Sequence, residues 1–150
     1  ASVFVQRFFF NFKRKMETRD QFITNLRGET IGFVNPSSSS DEKFQNQTLR
    51  PILKLQNDLF IEVFKNHISK HKNDFYLYSV EKKLQFIENT IQKDIKFRNA
   101  LKGIVIGLFT LDEYATYIQN SSSLNKRMMH MLIERLKSQV QLFETIDSIL

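Results

Sequence analysis

The stretch from Ile52 to Leu150 contains no proline and no cysteine, and its only glycines are Gly103 and Gly107. A sheet protein of this length needs glycine, proline and Asn-Gly turns about every ten residues. Helices joined by short polar turns need far fewer of these residues. The sequence therefore predicts an all-α, single-domain bundle of five or six helices, preceded by an N-terminal arm.

The composition of the 150-residue chain is that of a globular domain, with 41% hydrophobic and 25% charged residues. Fifteen phenylalanines and no tryptophan predict a thick, dry core, because phenylalanine carries no polar group that needs a partner. The absence of cysteine excludes disulfides and thiolate metal sites. It is compatible with a reducing compartment, and we expect a cytoplasmic protein.

The net charge of +6 is concentrated at the N terminus. Residues 1–15 hold four of the 22 basic side chains and no acid, which leaves 18 basic against 16 acidic side chains in the rest. A nucleic-acid-binding domain concentrates basic charge on one face, because phosphate contacts supply most of its affinity. The remaining bases alternate with acids instead, so we expect no nucleic-acid partner.

Residues 1–15 are apolar first and basic last, the reverse of the order in a secretory signal. They are also shorter than the roughly 20 apolar residues that span a bilayer. We interpret them as a leader or an added extension without fixed structure, ahead of a natural start at Met16. The alternative is an amphipathic anchor that lies on a membrane surface.

Residues 16–40 form a second region, in which Thr18 and Gln21 have the spacing of a capping box. We expect a short helix there that stops at Gly28. The segment from Glu29 to Val34 is predicted to be an extended arm, and a serine-rich linker follows it to residue 40.

Residues 41–150 are predicted to form the helical bundle. The first long helix runs from Asp41 to His71 with a kink near Gln47 to Arg50, because Pro51 lacks a backbone donor. Further breaks are expected near residues 78, 93, 110 and 122, the last in a serine turn. The final helix is expected from Leu124 to about Phe143. Inward-facing stripes are predicted for Ile52, Leu55, Leu59, Phe60, Val63, Phe64 and Ile68, and for Val80, Leu84, Ile87 and Ile91.

His67 and His71 are the best metal-like pair, because a spacing of four places both rings on one helix face. Glu62 and Asp74 are the nearest acids in the sequence. However, the glutamate of a zinc-protease helix is absent, since residue 68 is isoleucine. We interpret the pair as structural histidines that favour the negative end of the helix dipole, with a metal site as the weaker alternative.

Two further residue pairs have a spacing that occurs in functional sites. His130 and Glu134 lie one turn apart and would form an acid–base pair if they faced a cleft, although such a pair is more often a surface contact. Gly103 and Gly107 lack the lysine and hydroxyl ending of a phosphate-binding loop. Because each glycine costs about 1 kcal/mol of helix propensity, we predict that they form a helix-packing groove for a neighbouring helix or a ligand.

Polar side chains interrupt the apolar helices at three places. If they converge, they form a basic, amide-rich pocket suited to a carboxylate or a phosphate. The alternative is that they satisfy helix ends and surface water. The ligand-binding candidates are Arg50, Asn57, Arg98, Asn99, Lys102, Asn125 and Arg127.

The segments Phe44–Phe60, Phe97–Phe109 and Leu124–Met129 resemble a group of small, all-helical bacterial proteins of unknown role that sometimes carry the label "glyoxalase". The resemblance covers Met16 to about Phe143 and implies a start at Met16. Glyoxalase-type enzymes hold their metal with histidine and glutamate on strands of paired βαβββ modules. This chain has neither pattern, so the resemblance assigns no catalytic residue here.

These patterns favour a protein that acts by binding. We expect a helix-mediated partner or homodimer contact, with no cofactor and no membrane partner. The alternative is an enzyme or a small-ligand carrier that uses the arginine and asparagine clusters. A cavity that joins Arg50, Arg98 and Arg127 favours the ligand, whereas a flat, exposed phenylalanine and leucine patch favours the partner.

Overall fold

The computed structural model describes residues 18–28, 30 and 35–144, together with the isolated positions 3 and 6. The leader predicted for residues 1–15 and most of the arm predicted for Glu29 to Val34 lie outside the described residues. Within the described part the chain is all-helical and contains no strand. No helix there is long and apolar enough to cross a membrane.

Seven helices make up the described part, slightly more than the five or six expected. Helix α2 covers residues 40–55 and consists of three consecutive segments, an α-helix Ser40–Phe44, a π-helical turn Gln45–Leu49 and an α-helix Arg50–Leu55. The other helices are α1 Arg19–Arg27, α3 Asn57–Lys70, α4 Val80–Lys93, α5 Ile95–Ile106, α6 Leu111–Gln119 and α7 Ser121–Ser138. Short 3₁₀ turns, Phe75–Leu77 and Val140–Leu142, follow α3 and α7.

Side-chain caps mark the starts of five helices, and the first of them is the predicted capping box. The Thr18 hydroxyl accepts a hydrogen bond from the backbone N–H of Gln21, whose side chain accepts from the Thr18 N–H, so the capping box of α1 is complete. Side-chain oxygens cap four further helices by satisfying otherwise unpaired N–H groups. The residues that cap α2, α4, α5 and α6 are Ser39, Ser79, Asp94 and Thr110.

The predicted kink before Pro51 takes the form of the π turn Gln45–Leu49. In a regular helix the Pro51 nitrogen would have to donate to the carbonyl of Gln47, which proline cannot do. Arg27 supplies the missing donor, because its Nη2 lies 3.2 Å from that carbonyl oxygen. The same guanidinium donates from Nη1 to Glu113 at 2.6 Å and to the Leu108 carbonyl at 3.3 Å. Arg27 thereby ties α1 to both α2 and α6.

One hydrophobic core joins the helices, as the phenylalanine content predicts. Phe64 on α3 lies at its centre, with ring centroids of Phe75, Phe97 and Phe143 between 5.0 and 6.2 Å away. Helix α7 packs against α4, α5 and the π turn of α2. Helix α7 thus has neighbours on two sides, while Ser122, Lys126, His130, Glu134 and Ser138 form a side that is exposed.

Several predicted details are wrong. The serine turn expected near residue 122 is instead the first turn of α7, because Asn120 makes the connection and serine suits a first helical turn as well as it suits a loop. The final helix therefore starts at Ser121 and ends at Ser138, rather than running from Leu124 to Phe143. The helix predicted from Asp41 to His71 is also interrupted a second time, by a turn at Gln56.

The predicted inward stripes are correct only in part. Leu55, Leu59 and Val80 are exposed, although Ile52, Phe60, Ile87 and Ile91 are buried. Lys83 of α4 is buried as well. Its side chain packs along the core, and its ammonium donates a hydrogen bond to the Phe143 carbonyl at 3.2 Å. A lysine stem covers apolar surface as well as an aliphatic side chain does, provided that its charged end finds an acceptor.

Candidate functional site

A cavity with a volume of about 490 Å³ lies between α2 and α7. We call it the seam cavity. Its position depends on the π turn, since Gln45 belongs to that turn and Arg50 follows it directly. The lining residues are Gln45, Arg50, Leu53, His130, Met131, Glu134, Arg135, Ser138 and Gln139.

Two arginines face the seam cavity, and neither pairs with an acidic side chain among the described residues. Burial lowers the pKa of Arg135, and the nearby positive charge of Arg50 lowers it further. Within the described part of the chain, Arg50 makes no hydrogen bond or ion pair. Glu134 lies on the cavity wall, but the cation nearest to it is Lys137, at 3.8 Å. The lining of the seam cavity therefore carries two arginines and one glutamate, and the glutamate pairs with a lysine outside the lining.

An amide pair orients Arg135. Asn57 Nδ2 donates to Gln139 Oε1 at 2.8 Å, and Gln139 Nε2 donates back to Asn57 Oδ1 at 2.7 Å. Arg135 Nη1 lies 3.5 Å from the same Asn57 oxygen, at the limit of a hydrogen bond. Asn57 and Gln139 thus satisfy each other and leave most of the donors of Arg135 available.

The same seam continues away from the cavity with satisfied polar contacts. Arg127 Nη1 donates to Gln45 Oε1 at 2.9 Å, which fixes the side chain of one lining residue. At the far end Asp41 accepts from Ser123 at 2.6 Å and from Asn120 at 2.9 Å. These hydrogen bonds, that of Ser123 first, hold the pKa of Asp41 below its usual value.

A second, smaller cavity of about 210 Å³ lies on the other side of α7. Its lining includes Arg98 and Lys126, and it shares His130 and Glu134 with the seam cavity. Nearby, Lys137 Nζ bonds Glu88 Oε2 at 2.8 Å, which lowers the pKa of Glu88 and raises that of Lys137. No hydrogen bond joins His130 to Glu134 among the described contacts, and their acid–base role stays a prediction.

A third cavity, of about 550 Å³, opens beside His67, His71 and Asp94. Potential ligand atoms of these three residues all lie within 4.8 Å of one another. His67 stacks on Phe97 with ring centroids 3.9 Å apart. The ring centroids of His67 and His71 lie 4.2 Å apart. Burial, followed by the charge of His71, lowers the pKa of His67, while Asp94 opposes that shift.

The structure brings together only part of the predicted ligand set. Arg50, Asn57 and Arg127 lie along the seam between α2 and α7, whereas Arg98 lies in the smaller cavity. Asn125 accepts a hydrogen bond from the Tyr117 hydroxyl at 2.7 Å, which ties α6 to α7. Asn99 and Lys102, on α5, line none of the three cavities. A single cavity that joins Arg50, Arg98 and Arg127 is therefore not present among these three.

Within the described residues no helix occupies the predicted groove at the two glycines, and a partner or a ligand there stays a prediction. A Cβ atom built at Gly103 would meet nothing within 4 Å, so no described helix packs against it. Gly107 ends α5, and its carbonyl accepts from Arg19 Nη2 at 3.2 Å. The cost in helix propensity is therefore not compensated by close helix packing inside the described part of this chain.

The predicted partner surface has candidates on α1 and α6. Two large apolar side chains of α1, Phe22 and Leu26, are exposed, as are Leu111, Tyr114 and Ile118 of α6. The two helices are joined by a hydrogen bond from the Leu111 N–H to Asp20, at 3.1 Å. Whether these side chains contact a partner or a second copy stays a prediction, and light scattering over a concentration series would test the second copy.

Sequence reasoning missed two site residues. Arg135 follows Asn57 by 78 positions and meets it only because α7 packs along α2 and α3. Asp94 lies 23 positions after His71, in the turn between α4 and α5, whereas the acids closer in sequence are elsewhere. Glu62 pairs with Lys65 at 3.0 Å, and Asp74 is not part of the histidine cluster. The cap that Asp94 provides for α5 was the one signal that could have located it.

Comparisons with protein-family models, with curated proteins and with solved structures found no match. The family resemblance therefore stays a prediction, and the argument for function depends on the three cavities.

Proposed function

We propose that this protein binds a small oxyanion, a carboxylate or a phosphate, in the seam cavity. The observation that carries the proposal is the juxtaposition of Arg50 and Arg135 in one cavity, where no acidic side chain of the described part of the chain pairs with either. Like charges held together cost free energy, and an anion between them would turn that repulsion into attraction. This makes the protein a ligand-binding protein, with no catalytic residue assigned.

The chemistry of the lining supports an oxyanion in particular. A guanidinium group presents its N–H donors in a planar fork that matches two oxygens of a carboxylate or a phosphate. Arg135 makes only one long contact with the amide pair of Asn57 and Gln139, at 3.5 Å, so most of its donors are available to a ligand. Gln45 and Ser138 offer further polar groups on the cavity wall.

The size of the cavity supports a small metabolite rather than a macromolecule. Its volume of about 490 Å³ falls within the range of roughly 300–1,000 Å³ that is usual for small-molecule sites. Leu53 and Met131 supply an apolar part of the wall, against which the carbon skeleton of a carboxylate would pack.

Titration calorimetry at constant ionic strength tests the proposal, with inorganic phosphate in one series and succinate in the other. We expect saturable binding of at least one of them, and the stronger of the two identifies the oxyanion class. Arg50→Gln and Arg135→Gln should each weaken binding at least about 10-fold, the usual loss for a charge-assisted hydrogen bond.

Arg98→Gln is the matched control, because it removes the same charge from the neighbouring cavity. It should leave the affinity within about twofold, since an exposed charge acts weakly at a distance in salt. The proposal is wrong if neither anion binds, or if Arg98→Gln weakens binding as much as Arg135→Gln does.

A further inference from the structure

Helices α3 and α4 bring a second group of residues together, well apart in sequence from the seam cavity. His67 lies in the last turn of α3, His71 directly follows that helix, and Asp94 lies in the turn that joins α4 to α5. We propose that these three residues form a binding site for one divalent transition-metal ion of the zinc class. The fourth coordination position would face the adjoining cavity.

The distances suit this coordination. His67 Nε2 lies 3.7 Å from Asp94 Oδ2. Two ligands at about 2.0–2.1 Å from a tetrahedral zinc ion are separated by about 3.4 Å, so this pair is close to the required spacing. The full set spans at most 4.8 Å. His71 is exposed, and a small shift of its ring that keeps the contact of its Nδ1 with the His67 carbonyl would close the remaining gap.

Each of the three side chains is already oriented by a second contact. His71 Nδ1 lies 3.2 Å from the His67 carbonyl, and donation to that oxygen leaves Nε2 available as a ligand. Phe97 stacks on one face of the His67 ring. Asp94 Oδ1 accepts from the Phe97 N–H at 3.1 Å, while its Oδ2 faces His67. Contacts of this kind fix ring orientation and tautomer in metal sites.

Two imidazoles and one carboxylate define the chemistry of the ion. Imidazole nitrogen suits zinc and its neighbours, whereas calcium and magnesium require oxygen ligands. Three protein ligands leave a position open to water or to an anionic ligand. Lys72 and Lys93 line the same cavity, and their charge would favour an anion in that position.

Zinc titration of the full chain by calorimetry tests this site. We expect one zinc ion per chain, and we expect His71→Gln and Asp94→Asn to lower zinc affinity at least about 10-fold each. Both variants should fold, since His71 is exposed and asparagine caps a helix as well as aspartate does. Cobalt(II) gives a second readout, because its visible absorption reports coordination and should be lost in both variants.

Two matched controls separate this site from adventitious binding. His130→Gln removes the remaining histidine of the chain, and Asp74→Asn makes the same change as Asp94→Asn at an acid outside the cluster. Both should keep the zinc affinity of the unmodified protein. The proposal is overturned if the unmodified protein binds no zinc, or if either His71→Gln or Asp94→Asn binds it within about twofold of the unmodified protein.

Discussion

Arg27 and Arg135 are both arginines at helix seams, and they differ in what meets them. Arg27 has a side chain only 8% exposed, and it bonds the carboxylate of Glu113 and the carbonyls of Leu108 and Gln47. Its Nε is the one buried side-chain polar atom without a partner in the described part of the chain. Arg135 meets one amide oxygen at 3.5 Å and the like charge of Arg50.

The difference shows how one residue type serves two purposes. A buried guanidinium that is paired with a carboxylate and with freed carbonyls holds helices together, and its loss leaves those groups unsatisfied. A guanidinium that faces another cation across a cavity contributes little to folding and is available to a ligand. The comparison predicts that stability and anion binding depend on different arginines.

Replacing Arg27 should have the largest effect on stability. Arg27→Met leaves Glu113 without its cationic partner and the Gln47 carbonyl without the guanidinium donor, and we expect a loss of about 3 kcal/mol in the free energy of unfolding, as for other broken buried pairs. Urea denaturation measures it. Arg19→Gln is the control, because that side chain is 53% exposed and bonds the Phe109 carbonyl at 2.9 Å. An equal loss in both variants would contradict the structural role of Arg27.

Replacing Arg135 should change stability much less, and in the opposite direction. Arg135→Met removes a partly buried charge and its repulsion with Arg50, while the pair of Asn57 and Gln139 remains intact. We expect a gain of up to about 1 kcal/mol in the free energy of unfolding. A loss of 2 kcal/mol or more in the same denaturation experiment (about the cost of an unmade charged hydrogen bond) would show that Arg135 has a structural role.

Asp41 provides the smallest effect, and it depends on pH. The hydrogen bonds from Ser123 and Asn120 lower its pKa in the folded state, so its stabilising contribution is present above the unfolded pKa of about 3.9. The contribution is lost as the pH falls through the folded pKa. The unmodified protein should therefore have a higher unfolding temperature than Asp41→Asn at neutral pH, and the difference should shrink below about pH 4. If the difference in unfolding temperature does not change with pH, ionisation of Asp41 does not cause it.

Much of the helical framework could be predicted because its signals are local. The hydroxyl of Thr110 and the N–H of Glu113 are three residues apart, and their hydrogen bond needs no other part of the chain. The lack of a backbone donor at Pro51 is equally local, and it correctly located the irregular turn of α2. Serine was ambiguous at residues 121–123, since the same residues suit a loop and a first helical turn.

Less of the candidate sites could be predicted, because their residues meet only in the folded chain. Arg50 and Asn57 were identified from composition, but their neighbour Arg135 comes from a helix that starts more than 60 residues later. His67 and His71 were visible as a pair, whereas Asp94 joins them through the packing of α5 on α3. The glycine pair had a clear pattern, but a missing side chain does not specify what lies opposite it, and no described helix packs against Gly103.

The central claim is that Arg50 and Arg135 bind an anion, whereas Arg27 stabilises the fold. Its most direct test is thermal unfolding at constant ionic strength with increasing phosphate and, separately, succinate. Binding to the folded state at 100 times the dissociation constant adds about 2.7 kcal/mol to stability. One of the two anions should raise the unfolding temperature of the unmodified protein and of Arg27→Met, but not that of the double variant Arg50→Gln, Arg135→Gln. An equal rise in the double variant would contradict the assignment of the seam cavity as the anion site.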